Sequence, residues 1–280
     1  MSERREAGIP PSSARGPAGP APQAPGAARP SLLVAGGITK RFAGISALDR
    51  VSLDVDPGEF VGLIGPNGAG KTTLFNCLLG IVRPDDGRVR FAGRDITGLP
   101  TYWRARLGFG RTFQRVEVFS GMTVREHLLV AERARRGDGA LWKDLLNRGR
   151  PNADELARAA ATLELLGLTD RGDRPIESLS LGAVRLVELG RALMTGPKLL
   201  LLDEPSSGLD RAETVDLAAT LRKVQQEHGT AILLVEHDVE MVQSLATRLF
   251  VLDFGTLIAS GPTTDVLGDA AVRRAYLGVS

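Results

Sequence analysis

Residues 65–72 read Gly-Pro-Asn-Gly-Ala-Gly-Lys-Thr, which fits the pattern G-x-x-x-x-G-K-[ST]. Residue types at this spacing bind phosphate. The glycines let successive backbone N–H groups turn inward as an anion nest, and a helix starting at the lysine aims the positive end of its dipole at the same point. Lys71 then reaches the β- and γ-phosphates of a nucleotide, and Thr72 offers its hydroxyl to Mg2+. The candidate cradle comprises Gly65, Pro66, Asn67, Gly68, Ala69, Gly70, Lys71, Thr72 and Thr73. An apolar run, Phe60–Ile64, precedes it and a helical run, Lys71–Leu79, follows. That context separates a P-loop from a glycine-rich turn with a chance lysine.

A second group of residues has the chemistry to activate water. The apolar run Leu199–Leu202 leads into Asp203-Glu204-Pro205. An acid at the C-terminal end of a buried strand beside the P-loop strand is placed to hold the Mg2+ shell, which makes Asp203 the candidate metal ligand. Glu204, next along, leaves the strand on a different heading and is the candidate to orient or deprotonate the attacking water. Alone, this pair reads equally well as an acidic exit from a strand; the P-loop decides for function. His237, in Glu236-His237-Asp238, follows the apolar run Ala231–Val235 and is expected on the same sheet edge. The other two histidines, His127 in a surface-like helix and His228 at a helix end before Gly229, are read as solvated and are assigned nothing.

These groups need a scaffold that brings strand ends together. Val51–Val55, Phe60–Ile64, Val89–Phe91, Leu199–Leu202, Ala231–Val235 and Leu249–Leu252 read as short strands, several of them apolar at nearly every position, as in a parallel-rich sheet covered on both faces. From about Thr123 to Arg191 the pattern turns helical. Thr123 with Glu126 fits a capping box opening Thr123–Arg136, and Ala153–Leu166 ends at Gly167. A short amphipathic piece surrounds Trp142 between them. The expectation is an α/β core carrying an inserted helical subdomain, with no internal repeat.

Composition excludes other classes. Hydrophobic residues make up 43% and charged residues 24% of the 280 positions, an ordinary globular mixture. Thirty-five basic against 33 acidic residues give a net charge of +2 and no basic stripe, so no nucleic-acid partner is expected. One cysteine, Cys77, permits no disulfide within the chain and points to a reducing compartment. The longest apolar runs are far too short to span a membrane, and the N-terminus lacks the apolar region of a secretory leader. Residues 1–30 hold seven Pro, seven Ala and four Gly without apolar periodicity, so they are expected to be a disordered tail, with the fold beginning near Ser31.

The order Gly65–Thr72, Gln114, Leu179-Ser180-Leu181-Gly182, Asp203-Glu204, Asp210 and His237 resembles the ATP-binding cassette of ABC transporters over about residues 32–280. Ser180 and Asp203 stand 23 residues apart, as signature and acidic strand do in that family. The resemblance implies an α/β P-loop NTPase fold: an ABC ATPase domain over residues 31–280 with a RecA-like core, an antiparallel β subdomain and a helical subdomain inserted at about residues 115–190. It implies ATP and Mg2+ as ligands. Phe42 is similar to the aromatic that stacks on adenine, and Gln114 to the Q-loop residue that touches Mg2+ and bends with the membrane partner. Ser180 and Gly182 match the signature that clamps the γ-phosphate of an opposite subunit. Asp210 matches the loop linking the two sites, and His237 the switch histidine on the γ-phosphate. With Lys71 and Gln114, Glu204 and His237 form the implied catalytic set; Thr72, Gln114 and Asp203 form the implied metal set.

One departure stands out. The family signature LSGGQ is here Leu179-Ser180-Leu181-Gly182-Ala183, and Ala183 removes an amide side chain. With a non-identical partner, the composite site built on this signature is therefore expected to be the weaker of two. Arg111–Gln114, Phe119-Ser120-Gly121-Met122-Thr123-Val124 and Ala275-Tyr276-Leu277-Gly278 resemble the G-type ATPase subunit of branched-chain amino acid importers. Implied partners are two transmembrane permease subunits, docking near Val116–Met122, and a second ABC ATPase subunit in a homo- or heterodimer. A periplasmic or extracellular solute-binding protein acts indirectly. The implied location is the cytoplasmic face of the plasma membrane. Urea or amide import, lipopolysaccharide export, or an ABC ATPase without a transport role are the alternatives.

Overall fold

The apolar runs form strands in the computed structural model, which describes residues 30–112, 118–136 and 151–277. In chain order the elements are β1 (Leu33–Phe42), β2 (Ile45–Val55), β3 (Phe60–Ile64), α1 (Lys71–Leu79), β4 (Asp86–Phe91), β5 (Arg94–Asp95), α2 (Thr101–Leu107), β6 (Phe109–Arg111), α3 (Val124–Arg136), α4 (Ala153–Leu165), α5 (Leu181–Met194), β7 (Leu199–Asp203), α6 (Arg211–His228), β8 (Ala231–Val235), α7 (Val239–Leu245), β9 (Arg248–Asp253), β10 (Thr256–Pro262), α8 (Thr263–Gly268) and α9 (Ala270–Leu277). Gln114, Val116 and Glu117, the piece around Trp142 and the tail before Pro30 lie outside the described residues. Among the described residues no helix is long and apolar enough to cross a membrane.

Two sheets form among the described residues: one of six strands in the order β10-β9-β3-β8-β7-β6, and an antiparallel one in the order β2-β1-β4-β5. The six-stranded sheet is parallel from β9 to β6, with β10 antiparallel at its edge. β3, β7 and β8 are buried at every position, as strands covered on both faces must be. Their period of two divides the core. Leu200, Leu202, Ile232 and Leu234 face a cluster with Leu128, Leu163, Val187 and Leu221 of the helices. Leu199, Leu201, Leu233 and Val235 face a second cluster with Leu33, Leu48, Val89 and Leu74. Each buried leucine adds about 1.5–3 kcal/mol, so this one sheet holds both subdomains against the core.

One expected neighbour relation is corrected. β7 does not lie beside the P-loop strand β3, because β8 runs between them: Leu63 pairs with Val235, and Val235 with Asp203. The helical crossover α6 carries the later strand over β7 into the central slot, where all its backbone groups find partners on both edges. Asp203 thus stands two strand spacings, about 10 Å, from β3. The strand that leads to His237 lies between them.

The far end of the phosphate-side helix is closed by a buried cation. Arg104 of α2, 1% exposed, donates to Cys77 O at 2.9 Å and Leu78 O at 2.5 Å, and to Leu99 O and Thr97 O. It satisfies the last carbonyls of α1 and complements the negative end of its dipole. Burial pushes its pKa down to about 10.

In the helical subdomain the capping box is present: Thr123 N–H donates to Glu126 Oε2 at 2.7 Å, and Glu126 N–H to Thr123 Oγ1 at 3.3 Å. Asn152 and Glu155 form a second box at the start of α4. Glu132 of α3, fully buried, accepts from Arg135 and pairs with Arg158 of α4, tying the two helices together. His127 overturns its reading as solvated. It is fully buried; Nδ1 donates to Thr123 O at 2.8 Å and Nε2 accepts the Phe119 N–H at 3.0 Å. Its ring faces inward to fasten the loop before α3, a partner that local periodicity does not reveal.

Candidate nucleotide site

The cradle is built by backbone conformations that a side chain would forbid. Gly65 has φ 154°, and a Cβ there would lie 2.1 Å from Leu252 O; Gly70 has φ 102°, and a Cβ there would meet Ala47 O at 2.6 Å. Gly70 is also the N-cap of α1, and no side chain caps it among the described residues. The first N–H groups of the helix are thus left for an anion, and the first turn carries no acid to repel one. Gly255, in the β9–β10 turn, donates to Ala69 O at 2.9 Å and accepts from Asp49 N–H, clamping the loop against β2.

Lys71 is folded back into the loop, 6% exposed, donating to Gly65 O at 2.6 Å and Pro66 O at 3.0 Å. Burial lowers its pKa, while Glu204 and Asp203 act in the opposite sense. Thr72 is exposed and Thr73 half-buried at the start of α1.

Asp203 ends β7 at 2% exposure, and its Oδ1 is buried with no hydrogen-bond partner. Burial raises its pKa and the Glu204 carboxylate adds to the rise; Arg111 and Lys71 oppose it. A buried carboxylate oxygen without a donor is costly unless a ligand completes it. A divalent cation does that, and a hard oxygen donor set of Asp203 and the exposed Thr72 hydroxyl suits Mg2+. The described residues hold no cluster of three or more His, Cys, Asp or Glu that could hold a metal. A Mg2+ shell drawn mainly from phosphate and water needs none.

This cost is measurable. A raised folded pKa means that folding binds the proton, so the penalty is absent below the ordinary aspartate value of 3.8 and grows as pH rises through the folded pKa. Asp203→Asn is expected to raise the melting temperature of the ligand-free chain at pH 7 but not at pH 3.5. It should also shrink the extra stabilisation that Mg2+ adds to nucleotide. Thermal melts with and without Mg2+ check both.

Glu204 leaves the strand in the left-handed region, φ 48°, which costs a residue with a Cβ about 1–3 kcal/mol. Its N–H donates to Val235 O at 2.9 Å, so the turn is anchored on β8. The turn brings its carboxylate to His237, whose Nε2 lies 2.7 Å from Glu204 Oε1. Glu236 is a residue that the sequence reading passes over. It is 2% exposed, and its carboxylate accepts Ser206 N–H at 2.8 Å and His237 N–H at 3.0 Å. It staples the loop after β7 to the loop after β8 and so fixes Glu204 relative to His237. The signal available was its position one residue past a fully buried run, where an acid needs backbone donors.

The remaining residues gather elsewhere. Phe42 is 48% exposed at the β1–β2 hairpin, with Lys40 Nζ 5.4 Å from its ring centre. Ser180 caps α5, accepting Ala183 N–H at 3.3 Å, and Gly182 sits in the first turn. Ala183 is 5% exposed, so the altered fifth signature position faces the core. Asp210 caps α6 through a reciprocal box with Glu213. The described residues thus fall into two groups: Lys71, Asp203, Glu204 and His237 at the strand ends, and Ser180, Gly182 and Asp210 around two helix N-termini.

The ABC transporter family model matches residues 48–207. The chain belongs to the ABC transporter family. The high-affinity branched-chain amino acid transport ATP-binding protein LivG of Escherichia coli is 41% identical over 250 residues, 88% of this chain and 98% of that one. BraF of Pseudomonas aeruginosa, of the same description, is 41% identical over 253 residues, 89% of this chain and 98% of that one. A crystal structure of an ATP-binding cassette of an ABC transporter in its ADP conformation superposes with a TM-score of 0.79 at 35% identity, covering 89% of this chain and 99% of that one. This ABC ATPase is therefore the ATP-binding subunit of a transporter. Its two sheets and helical subdomain are the layers of the ABC ATPase fold.

Proposed function

We propose that this subunit hydrolyses ATP to drive import of branched-chain or closely related amino acids. The contact of Glu204 with His237 beside a buried, unpartnered Asp203 oxygen carries the hydrolytic reading. Similarity to LivG and BraF over nearly the full chain supports the substrate class.

On this reading Lys71 exchanges the carbonyls of Gly65 and Pro66 for the β- and γ-phosphates, and the open N–H groups of α1 complete the cradle. Phe42 stacks on adenine. Thr72 and Asp203 hold Mg2+ together with Gln114. When bound, Mg2+ neutralises charge on the β- and γ-phosphates. Glu204 takes the proton of the attacking water, and His237 holds Glu204 in place and meets the γ-phosphate. Catalysis comes from positioning and charge stabilisation. Ser180 and Gly182 face the nucleotide of a second cassette, like or unlike this one, so that ATP closes a head-to-tail dimer and hydrolysis reopens it. Asp210 links the two sites. The pair works on two transmembrane permease subunits at the cytoplasmic face of the plasma membrane, with a solute-binding protein on the other side.

Membrane vesicles carrying the complete transporter, loaded with ATP and supplied with binding protein, test the substrate. Leucine uptake that isoleucine and valine compete for is expected. Uptake of urea or an amide, with none of leucine, would overturn the amino-acid assignment.

A further inference from the structure

The N-terminus of α5 already holds an anion. Gly182 N–H donates to Glu213 Oε1 at 3.1 Å, and a Cβ at Gly182 would fall 2.7 Å from the Glu213 carboxyl carbon. Only glycine lets the carboxylate settle so close. Ser180 Oγ takes the Ala183 N–H one residue on, and Ser180 and Leu181 are exposed, so this end opens to solvent. The same Glu213 binds the start of α6: its N–H donates to Asp210 Oδ1 at 2.8 Å, and its Oε2 accepts Asp210 N–H at 3.4 Å. One side chain therefore joins the signature turn to the loop that carries Asp210.

We propose that Glu213 is a resident stand-in for the γ-phosphate: its carboxylate occupies the Gly182 N–H and must withdraw when a second cassette presents ATP, thereby setting the ATP affinity of that composite site. This rests on the reading that Gly182 faces a partner's nucleotide. Two anions cannot share one helix N-terminus without repulsion, because each is held there by the same N–H donors and the same dipole. Withdrawal needs only side-chain rotation, since the Asp210 Oδ1 contact is to the Glu213 backbone and caps α6 throughout. After hydrolysis the carboxylate returns to Gly182 N–H and favours the open dimer.

The test is ATP-concentration dependence of hydrolysis by the complete transporter. Glu213→Gln keeps an oxygen for the capping box and removes the charge. KM for ATP is expected to fall about two- to fivefold with kcat unchanged or lower, the range of a charge removed from a helix end. Glu213→Asp, one methylene shorter, withdraws from Gly182 and should lower KM in the same direction, which guards against a glutamine variant that folds poorly. A purely structural role would lower the melting temperature or kcat and leave KM unchanged or raised, and that result overturns the proposal. Ser180→Arg separates the two levels. If it abolishes hydrolysis while both Glu213 variants keep the wild-type KM, the stand-in role fails and the composite site survives. If Ser180→Arg hydrolyses ATP normally, the composite reading fails and this proposal with it.

Discussion

Glu204→Gln is expected to lower ATP hydrolysis by the assembled transporter by roughly a hundred- to ten-thousandfold, the range for removing a general base, while ATP affinity stays within a few-fold. The substitution is nearly isosteric. The amide still reaches His237, which lies 2.7 Å from the native carboxylate, and the left-handed turn still hangs on Val235 O. Glu236 continues to hold both loops through Ser206 and His237 N–H groups. What disappears is the group proposed to accept a proton from water. Binding and hydrolysis should therefore separate: the variant holds ATP and does not turn it over. Steady-state hydrolysis and equilibrium ATP binding on the same preparation measure the two. A loss of only a few-fold would move the base to another residue.

Lys71→Ala acts one step earlier, on binding. Its ammonium is a cation at the mouth of α1, where it donates to the carbonyls of Gly65 and Pro66. Each charge-assisted bond to phosphate contributes about 1.5–3 kcal/mol, so losing two of them weakens ATP binding by at least about a hundredfold. The loop itself should persist, because Gly65 and Gly70 are shaped by contacts to Leu252 and Ala47 and not by the lysine. ATP is then expected to raise the melting temperature of the native chain and to leave the variant's unchanged at the same concentration. An equal shift in both would place the phosphates away from Lys71.

Much of the frame was legible because strands covered on both faces read as unbroken apolar runs. Phe60–Ile64 and Ala231–Val235 end where they were drawn for that reason. β1 was not legible. Gly36, Gly37 and Lys40 interrupt its apolar positions, and its register against β2 shifts three times. β6, three residues long, has too little pattern to see. Neighbour order escaped as well, since nothing in Leu199–Asp203 or Ala231–Val235 says which lies next to β3. His127 misled because charged neighbours give its helix a surface pattern, whereas its partners, Thr123 O and Phe119 N–H, lie on a preceding loop. At the site, the sequence expectation that Asp203, Glu204 and His237 stand at strand ends on one sheet edge rests on where the apolar runs stop. Glu236 and Glu213 were not legible, because both work by receiving backbone N–H groups from distant turns, a relation that only the fold creates.

The most direct test of the central claim, ATP hydrolysis at Glu204 coupled to amino-acid import, is the hydrolysis rate of the complete transporter with and without leucine-loaded binding protein. The expected rate is one that leucine stimulates and that Glu204→Gln abolishes in both conditions. Hydrolysis that persists in the Glu204 variant, in a complex shown to be assembled, would contradict it.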